Sequence, residues 1–327
     1  MKTPFRIGYF GKLPARSDFV KGGAQHELTG LLDDWLAATM QQLAANPRWK
    51  QHYDAAEPLH FAFVGPRSRL AVAGHLAASN DQSGRRFPFI AVGTLEVPRP
   101  EDFVAISPLA LAPLWQRLGS LADDALTSTE PAAPLQVLGA AVLEGDAECD
   151  GDSDGHGTAL RRFAEQTDLA ALEALLAHAG QAYSARGILL GIGLLLQPFE
   201  WSGSTRLDKG LALPLPRAGA AQAAVAAFWL ALIMPFLRRV EIELALFVAE
   251  IRGQATLVVG FSGATPGTLH AILDPEAAGD RLIAFDETRW VDDMIEHDPA
   301  VLRLSACLAQ RDLSLAAARQ LFRETFT

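Results

Sequence analysis

Residues 218–237 form a run of twenty positions without a charged side chain, and this run constrains the fold more than any other segment. Its length is sufficient for a membrane-spanning helix. However, it is rich in alanine, which gains little free energy in lipid compared with leucine, and it contains Gln222 and Pro235. The composition therefore favours a helix buried between the layers of a large domain. A peripheral membrane adaptor that uses this segment is the alternative.

Length, charge and cysteine content limit the class of protein. With 327 residues, the chain is long enough for two domains of ordinary size. Its formal net charge of −10 opposes binding to phosphate backbones, so we expect no nucleic-acid partner. Cys149 and Cys307 lie far apart without CxxC spacing, which indicates neither a disulfide framework nor a zinc site and fits a reducing compartment. Only the short run Ile7–Phe10 follows Lys2 and Arg6, too short for the apolar region of a signal peptide, so no signal peptide is predicted.

Hydrophobic spacing predicts a first domain over residues 1–130, in which helices pack on an antiparallel sheet. A Gly-Pro turn at residues 65–66 separates two apolar runs and indicates a hairpin. The predicted elements are a strand over residues 5–10, a helix over 26–45, strands over 59–64, 70–76 and 87–95, and a helix over 107–126.

Residues 131–158 are predicted to be a linker region, because they combine a proline-containing stretch with an acidic, glycine-rich one. The second predicted domain covers residues 159–327. Its elements are a helix over 160–179, a buried strand over 187–196, the apolar helix over 220–237, a hairpin of 242–249 and 255–261, and helices over 293–297, 300–309 and 315–326, the last capped by Ser314. The predicted fold class is therefore α/β (mixed α+β), with mostly antiparallel sheets flanked by helices in two domains.

The segment Gly-Tyr-Phe-Gly-Lys-Leu-Pro-Ala-Arg-Ser-Asp-Phe-Val at residues 8–20 predicts a strand that ends at Phe10 and continues as a charged loop. Gly11 and Pro14 punctuate the backbone, and the carboxylate of Asp18 can accept a hydrogen bond from a neighbouring amide. We expect Lys12 and Arg16 to be solvated.

A second segment, Gly-His-Leu-Ala-Ala-Ser-Asn-Asp-Gln-Ser-Gly-Arg-Arg-Phe-Pro-Phe, occupies residues 74–89. Together the two segments resemble the N-terminal domain of the TagF family, associated with bacterial type VI secretion, in which a GKLPxRGDFV-like opening precedes PSxDxxGRxFP. The resemblance covers roughly residues 1–130, and the departures are Ser17, where the family usually has Gly, and Ala78, where it usually has Pro. The matching positions are Gly11, Lys12, Leu13, Pro14, Arg16, Asp18, Phe19 and Val20, then Ser79, Asp81, Gly84, Arg85, Phe87 and Pro88.

This resemblance implies a cytoplasmic, post-translational negative regulator of type VI secretion that acts by binding the forkhead-associated scaffold protein of the system. The two loops would then lie side by side and form a recognition surface. A purely structural interpretation is that the glycines and prolines fix turns while Asp18 or Asp81 pairs with an arginine inside the fold. The candidate binding residues are Lys12, Arg16, Asp18, Phe19, Asp81, Arg85 and Arg86.

Other motifs fall short of the sites that they partly match. Asp150, Asp152 and Asp154 reproduce the first half of an EF-hand loop, but Arg161 occupies the position of the closing glutamate. The Asp-Gly-His-Gly sequence at residues 154–157 is similar to a motif of metal-dependent phosphatases, although no strand precedes it. We therefore predict no metal and no cofactor.

The sequence shows no catalytic constellation, so binding without catalysis is the favoured prediction. The rival is a hydrolase or a phosphatase-accessory enzyme in the threonine-phosphorylation control of the same secretion system. That rival would need carboxylate and histidine side chains that converge from separate segments.

Overall fold

The computed structural model describes residues 3–147, 155–178, 180–202, 209–217, 219–238, 240–296 and 298–327. Within these residues the strands are β1 (Thr3–Arg6), β2 (Gly8–Gly11), β3 (Val20–Gly23), β4 (Leu59–Val64), β5 (Leu70–Ala77), β6 (Phe89–Glu96), β7 (Val142–Gly145), β8 (Gly210–Pro214), β9 (Leu244–Ile251), β10 (Gln254–Gly260) and β11 (Leu282–Ala284). The helices are α1 (His26–Leu43), α2 (Trp49–Asp54), α3 (Pro100–Thr127), α4 (Ala132–Ala140), α5 (His156–Gln166), α6 (Leu169–Leu176), α7 (Ala185–Ser202), α8 (Ala220–Leu237), α9 (Pro266–Leu273), α10 (Pro275–Arg281), α11 (Arg289–Ile295), α12 (Pro299–Leu308) and α13 (Leu315–Phe326).

Nine of these strands form one sheet in the order β11-β8-β10-β9-β4-β5-β6-β2-β3. All neighbours are antiparallel except β11 and β8. The remaining strands, β1 and β7, pair with each other in a separate antiparallel sheet. The predicted mixed α+β class with mostly antiparallel sheets is therefore confirmed.

Side chains on the two faces of the nine-stranded sheet belong to two different apolar clusters. On β4, Phe61 and Phe63 pack with Trp35 of α1, while Ala62 and Val64 belong to the cluster that contains α3 and α8. This alternation follows from the two-residue period of a strand. The sheet is thus covered by α1, α9 and α10 on one face and by α3 and α8 on the other, and α7 packs on α8.

The charge-free run predicted to be a buried helix forms α8, which packs against α3 and α7. It is the one helix in the described part of the chain that is long and apolar enough to cross a membrane, and 67% of its apolar window is buried inside the protein. Burial on nearly all sides explains why α8 shows no polar face. This burial is typical of the core helix of a soluble protein and argues against the membrane adaptor.

Three predicted elements are wrong. The helix predicted over residues 160–179 is divided into α5, which ends at Gln166, and α6, which begins at Leu169. Residues 187–196 form part of helix α7 instead of a strand. A run that is buried on all sides has no periodicity to distinguish the two structures. Residues 5–10 do not form one strand, because β1 and β2 flank the buried Ile7 and belong to different sheets.

The predicted domains 1–130 and 159–327 share the nine-stranded sheet, because β4 of the first pairs with β9 of the second. The predicted linker region contains α4 and β7, and β7 pairs with β1. Its acidic centre, with Asp150, Asp152 and Asp154, lies outside the described residues.

Candidate interaction surface

The first motif (residues 8–20) leaves the sheet at Gly11, where β2 comes close to the end of the second motif (residues 74–89). Gly11, the last residue of β2, has φ 139°, and a Cβ atom there would clash with the carbonyl oxygen of Pro88. Glycine is therefore required both for its backbone conformation and for the close approach of the two segments. This contact places the loops after Gly11 and before Pro88 next to each other, as the resemblance implied.

Asp81 is the centre of the contact between the loops. Its buried carboxylate accepts a hydrogen bond from the Lys12 ammonium, with 2.8 Å between Nζ and Oδ2, and another from Arg85 Nε at 2.7 Å from the same oxygen. The other oxygen, Oδ1, accepts from the Ser83 amide at 2.9 Å, the Ser83 hydroxyl at 2.7 Å and the Arg85 amide at 3.0 Å. The Lys12 hydrogen bond is the main reason that the pKa of Asp81 lies below its usual range, and the Ser83 and Arg85 donors add to it. Asp81 is therefore a fixed negative charge that joins both motifs.

Backbone groups join the same two loops. The Gln82 amide donates to the Arg16 carbonyl at 2.9 Å, and the Arg85 guanidinium donates to the Ser17 carbonyl at 2.8 Å. The Ser79 hydroxyl donates to the Lys12 carbonyl at 2.7 Å. These bonds span about 67 residues of sequence and determine the path of the first loop.

Aromatic rings cluster beside the Lys12 ammonium. The rings of Phe10 and Phe19 stack with centroids 5.3 Å apart, and Phe87 meets the edge of Phe19 at 5.0 Å. The Lys12 ammonium lies 4.9 Å from the centroid of the Phe19 ring, within range of a cation–π interaction. Phe19 nevertheless exposes 44% of its surface, so part of its ring is available to another molecule.

The seven candidate residues divide into two groups by exposure. The expectation that Lys12 is solvated is wrong, since Lys12 is 6% exposed and Asp81 is 1% exposed. Burial is possible because each supplies the charge that the other needs. Arg86 is half-buried, and its guanidinium forms two hydrogen bonds of 2.6 Å with the carboxylate of Asp54. The exposed members are Arg16, Asp18, Phe19 and Arg85, which we call the motif surface.

Two supporting residues were not found by sequence reasoning. The Tyr53 hydroxyl accepts from the Ser79 amide at 2.9 Å and donates to the Ser79 carbonyl at 3.0 Å, and burial raises the pKa of Tyr53. Asp54, next along α2, pairs with Arg86. Both lie at least twenty residues before the second motif, and no spacing in the sequence connects them with it.

Histidine and carboxylate side chains converge elsewhere, between α2 and the junction of α9 with α10. The buried Asp274 lies 3.0 Å from His52 Nδ1 and 3.7 Å from His270 Nε2. The carboxylate also caps α10 by accepting from the Glu276 amide at 3.0 Å, and it accepts from the Asn46 side chain at 2.9 Å. Within the described residues, no group of three potential ligands is arranged to hold a metal ion. We therefore interpret this cluster as a structural connection between the two helical segments.

Comparisons with known proteins find a family match for residues 8–141. These residues match the family model of the TagF N-terminal domain, described as type VI secretion system-associated. A solved crystal structure, that of PA0076 from Pseudomonas aeruginosa PAO1, is similar at 25% sequence identity and a TM-score of 0.35, and the match covers 40% of this chain and 60% of that chain. No curated protein matches the chain. The resemblance based on the two motifs is thus confirmed over the region that contains both of them.

Proposed function

We propose that this protein is a post-translational negative regulator of type VI secretion, because residues 8–141 match the family model of the TagF N-terminal domain, which is described as type VI secretion system-associated. It acts in the cytoplasm by binding the forkhead-associated scaffold protein of the system. Binding keeps the scaffold from the secretion apparatus in a stoichiometric complex, without catalysis. The proposal extends the family assignment by a partner and a mode of action.

The observation that supports a binding role is that buried groups hold the motif surface in one arrangement. The Lys12–Asp81 ion pair and the hydrogen bond from the Ser79 hydroxyl to the Lys12 carbonyl connect the two loops, while Arg16, Asp18 and Phe19 remain exposed. A surface that is already ordered loses less conformational entropy when a partner binds. Such an arrangement suits a protein whose activity is recognition.

The residues of the motif surface differ in what they can contribute. Phe19 supplies a rigid aromatic ring with an exposed side, which is the kind of side chain that dominates many interfaces. Arg16 forms no side-chain hydrogen bond or ion pair with the rest of the described chain, so its charge is available to a partner. Arg85 donates to Asp81 and Ser17, and its side chain is 64% exposed. We expect Phe19 to contribute most affinity and Arg16 to contribute association rate and specificity.

The proposal is tested by overproducing the protein in its native host. Wild-type protein should reduce secretion while the abundance of the apparatus proteins stays normal. The variant Arg16→Glu, Phe19→Ala should relieve the block, because it reverses a charge and removes the exposed ring without removing the Lys12–Asp81 pair. Arg69→Glu is the matched control, since Arg69 is an exposed arginine of the β4–β5 hairpin and should repress like wild type.

A pull-down with the purified scaffold separates the possible outcomes. Wild type and Arg69→Glu should retain the scaffold, and the double variant should lose at least tenfold in affinity. Secretion that continues at normal levels with excess wild type would contradict negative regulation. Repression by the folded double variant would contradict the motif surface as the binding site. Loss of phosphothreonine from the scaffold on incubation with the protein would instead support the enzymatic rival.

A further inference from the structure

A cavity of about 480 Å³ lies at the β11 end of the nine-stranded sheet, far along the sheet order from the motif surface. The edge strand β11 pairs only with Gly210, Leu211 and Ala212 of β8, so Leu213 and Pro214 have no strand neighbour on that side. The cavity lies beside this unpaired end of β8, and Pro214 is part of its lining. Its volume falls in the range of pockets that bind small molecules.

The cavity has an apolar wall and a separate set of polar groups. Ala212, Ile251, Leu282 and Phe285 contribute apolar surface from β8, the β9–β10 hairpin, β11 and the segment that follows it. Polar side chains face the cavity from separate parts of the chain: they are His178, Tyr183, Arg217, Arg252, Gln254 and Asp286. Convergence of polar groups around an apolar pocket is typical of a ligand site.

Tyr183 is the most buried of these polar side chains, with 9% of its surface exposed. Burial is the main reason that its pKa is raised, and the nearby Asp286 adds to this effect. The hydroxyl is therefore protonated at neutral pH and can donate a hydrogen bond into the cavity.

Arg252 occupies a backbone position that arginine rarely adopts. It has φ 52°, and Gly253 beside it has φ 79°, so the two form the central pair of the β9–β10 hairpin turn. Such turns favour asparagine, aspartate or glycine at the first position. Arg252 is the one non-glycine residue with positive φ in the described chain. Backbone strain of this kind is concentrated at functional sites, so a function of the Arg252 side chain would explain why arginine occupies this position.

The guanidinium of Arg252 has donors beyond those that the fold uses. Its Nη2 donates to the carbonyl oxygen of Pro275 at 2.9 Å, which holds the side chain against the start of α10. An arginine carries five N–H donors, so the others remain for a ligand. Arg217 lines the same cavity and supplies a second guanidinium. Two arginines against the single carboxylate of Asp286 leave an excess of positive charge among these three residues.

We propose that this cavity binds a small organic anion. Arg217 and Arg252 hold its carboxylate or phosphate group, the Tyr183 hydroxyl donates a hydrogen bond to it, and a flat apolar body packs against Ile251 and Phe285. This inference is independent of the proposed binding of a scaffold protein, because it concerns another part of the sheet. Arginine is suited to either anion, since its planar fork of donors matches both.

Phenyl phosphate and benzoate are suitable probes, with phenol as the uncharged comparison. Titrations of the full chain, followed by two-dimensional NMR, should show saturable binding of at least one anion and at least tenfold weaker binding of phenol. The tighter of the two anions identifies the head group. Absence of saturable binding by both anions, or equal binding of phenol, would overturn the proposal.

Arg252→Asn provides a specific test, because asparagine fits the turn better than arginine and the variant should fold at least as stably. We expect it to weaken binding of the anion at least tenfold, and Tyr183→Phe to weaken it severalfold. Arg69→Asn, in the β4–β5 hairpin, is the control that removes an exposed arginine elsewhere and should leave affinity unchanged. Unchanged affinity in folded Arg252→Asn would place the anion elsewhere and refute the site.

Discussion

The Lys12–Asp81 pair and the His60–His75 pair both lie largely inside the protein, and they are stabilised in opposite ways. The Lys12–Asp81 pair is ionised, and five donors surround the carboxylate. His60 and His75, directly opposite each other on β4 and β5, have their Nδ1 atoms 3.2 Å apart beside the ring of Trp115. No counter-charge contacts the two imidazoles in the described structure, so both are kept neutral, and one Nδ1 donates to the other.

The two pairs differ in how their contributions to the free energy of unfolding depend on pH. Burial lowers the pKa of His60 to about 3 and that of His75 to about 4, with a smaller effect on His60 from His75 and an opposing effect on His75 from Asp123. Below about pH 6.5 the two histidines therefore bind protons in the unfolded chain but not in the folded chain. Asp81 has a lowered pKa, so its contribution is complete above the unfolded value and is lost only as the pH falls below about 4. As the pH falls, stability is thus lost first through the histidines, between about pH 6.5 and about pH 4.

The largest expected effect is the loss of stability from the histidine pair on mild acidification. Between pH 7 and pH 5 each histidine should lower the free energy of unfolding by about 2 kcal/mol, because only the unfolded chain is protonated in that range. Urea unfolding at a series of pH values measures this slope. Trp115 fluorescence reports the same region, since its ring stacks on His60 with centroids 5.8 Å apart.

Replacement of both histidines tests whether they cause the loss of stability on acidification. The double variant His60→Leu, His75→Leu should show a much flatter dependence between pH 7 and pH 5, whatever its stability at pH 7. His26→Gln is the control, because His26 is exposed at the start of α1 and should leave the slope unchanged. An equally steep slope in the double variant would show that other groups cause the acid response.

The sequence predicted that the two motifs meet, but it could not predict the burial of Lys12. The pattern of Gly11, Pro14 and Gly84 indicated turns, and turns are normally exposed. Burial of the ammonium depends on Asp81, which lies 69 residues away, and on the Phe19 ring. Local residue types contain no information on such a long-range pair.

The strand predicted over residues 187–196 failed for a related reason. Its leucines and isoleucines fit a buried strand or a buried helix equally well. The choice is decided by partners that are distant in sequence: a Cβ atom at Gly193 would clash with the ring of Phe326, in the last helix. By contrast, helices α1 and α13 and the two hairpins were predicted, since their polar faces and turn residues are local features.

A smaller but still large effect is expected from Lys12→Met. Methionine keeps most of the volume and the apolar contacts, but it leaves Asp81 buried with Arg85 as its only cation in the described structure. Removal of one partner from a buried ion pair should lower the free energy of unfolding by about 3 kcal/mol. Chemical denaturation at pH 7 measures the change.

Arg85→Gln is the matched comparison, because Arg85 and Lys12 donate to the same carboxylate oxygen. The Arg85 side chain is 64% exposed, so its loss should cost less than about 1 kcal/mol. The neutral double variant Lys12→Met, Asp81→Asn should recover part of the stability lost in Lys12→Met. Equal effects of Lys12→Met and Arg85→Gln would contradict the distinction between a buried and an exposed cation.

The smallest expected effect isolates one neutral donor to the buried carboxylate. The Ser83 hydroxyl donates to Asp81 Oδ1 at 2.7 Å, whereas the hydroxyl of Ser68, in the β4–β5 hairpin, donates to the neutral carbonyl of Leu70 at 2.8 Å. Both bonds span two residues. Since a charged acceptor strengthens a hydrogen bond, Ser83→Ala should cost about 1 kcal/mol and Ser68→Ala about half as much. If denaturation at pH 7 gives equal losses for the two variants, the backbone and cationic donors already satisfy Asp81 fully, and the Ser83 hydroxyl adds nothing specific to the ionised cluster.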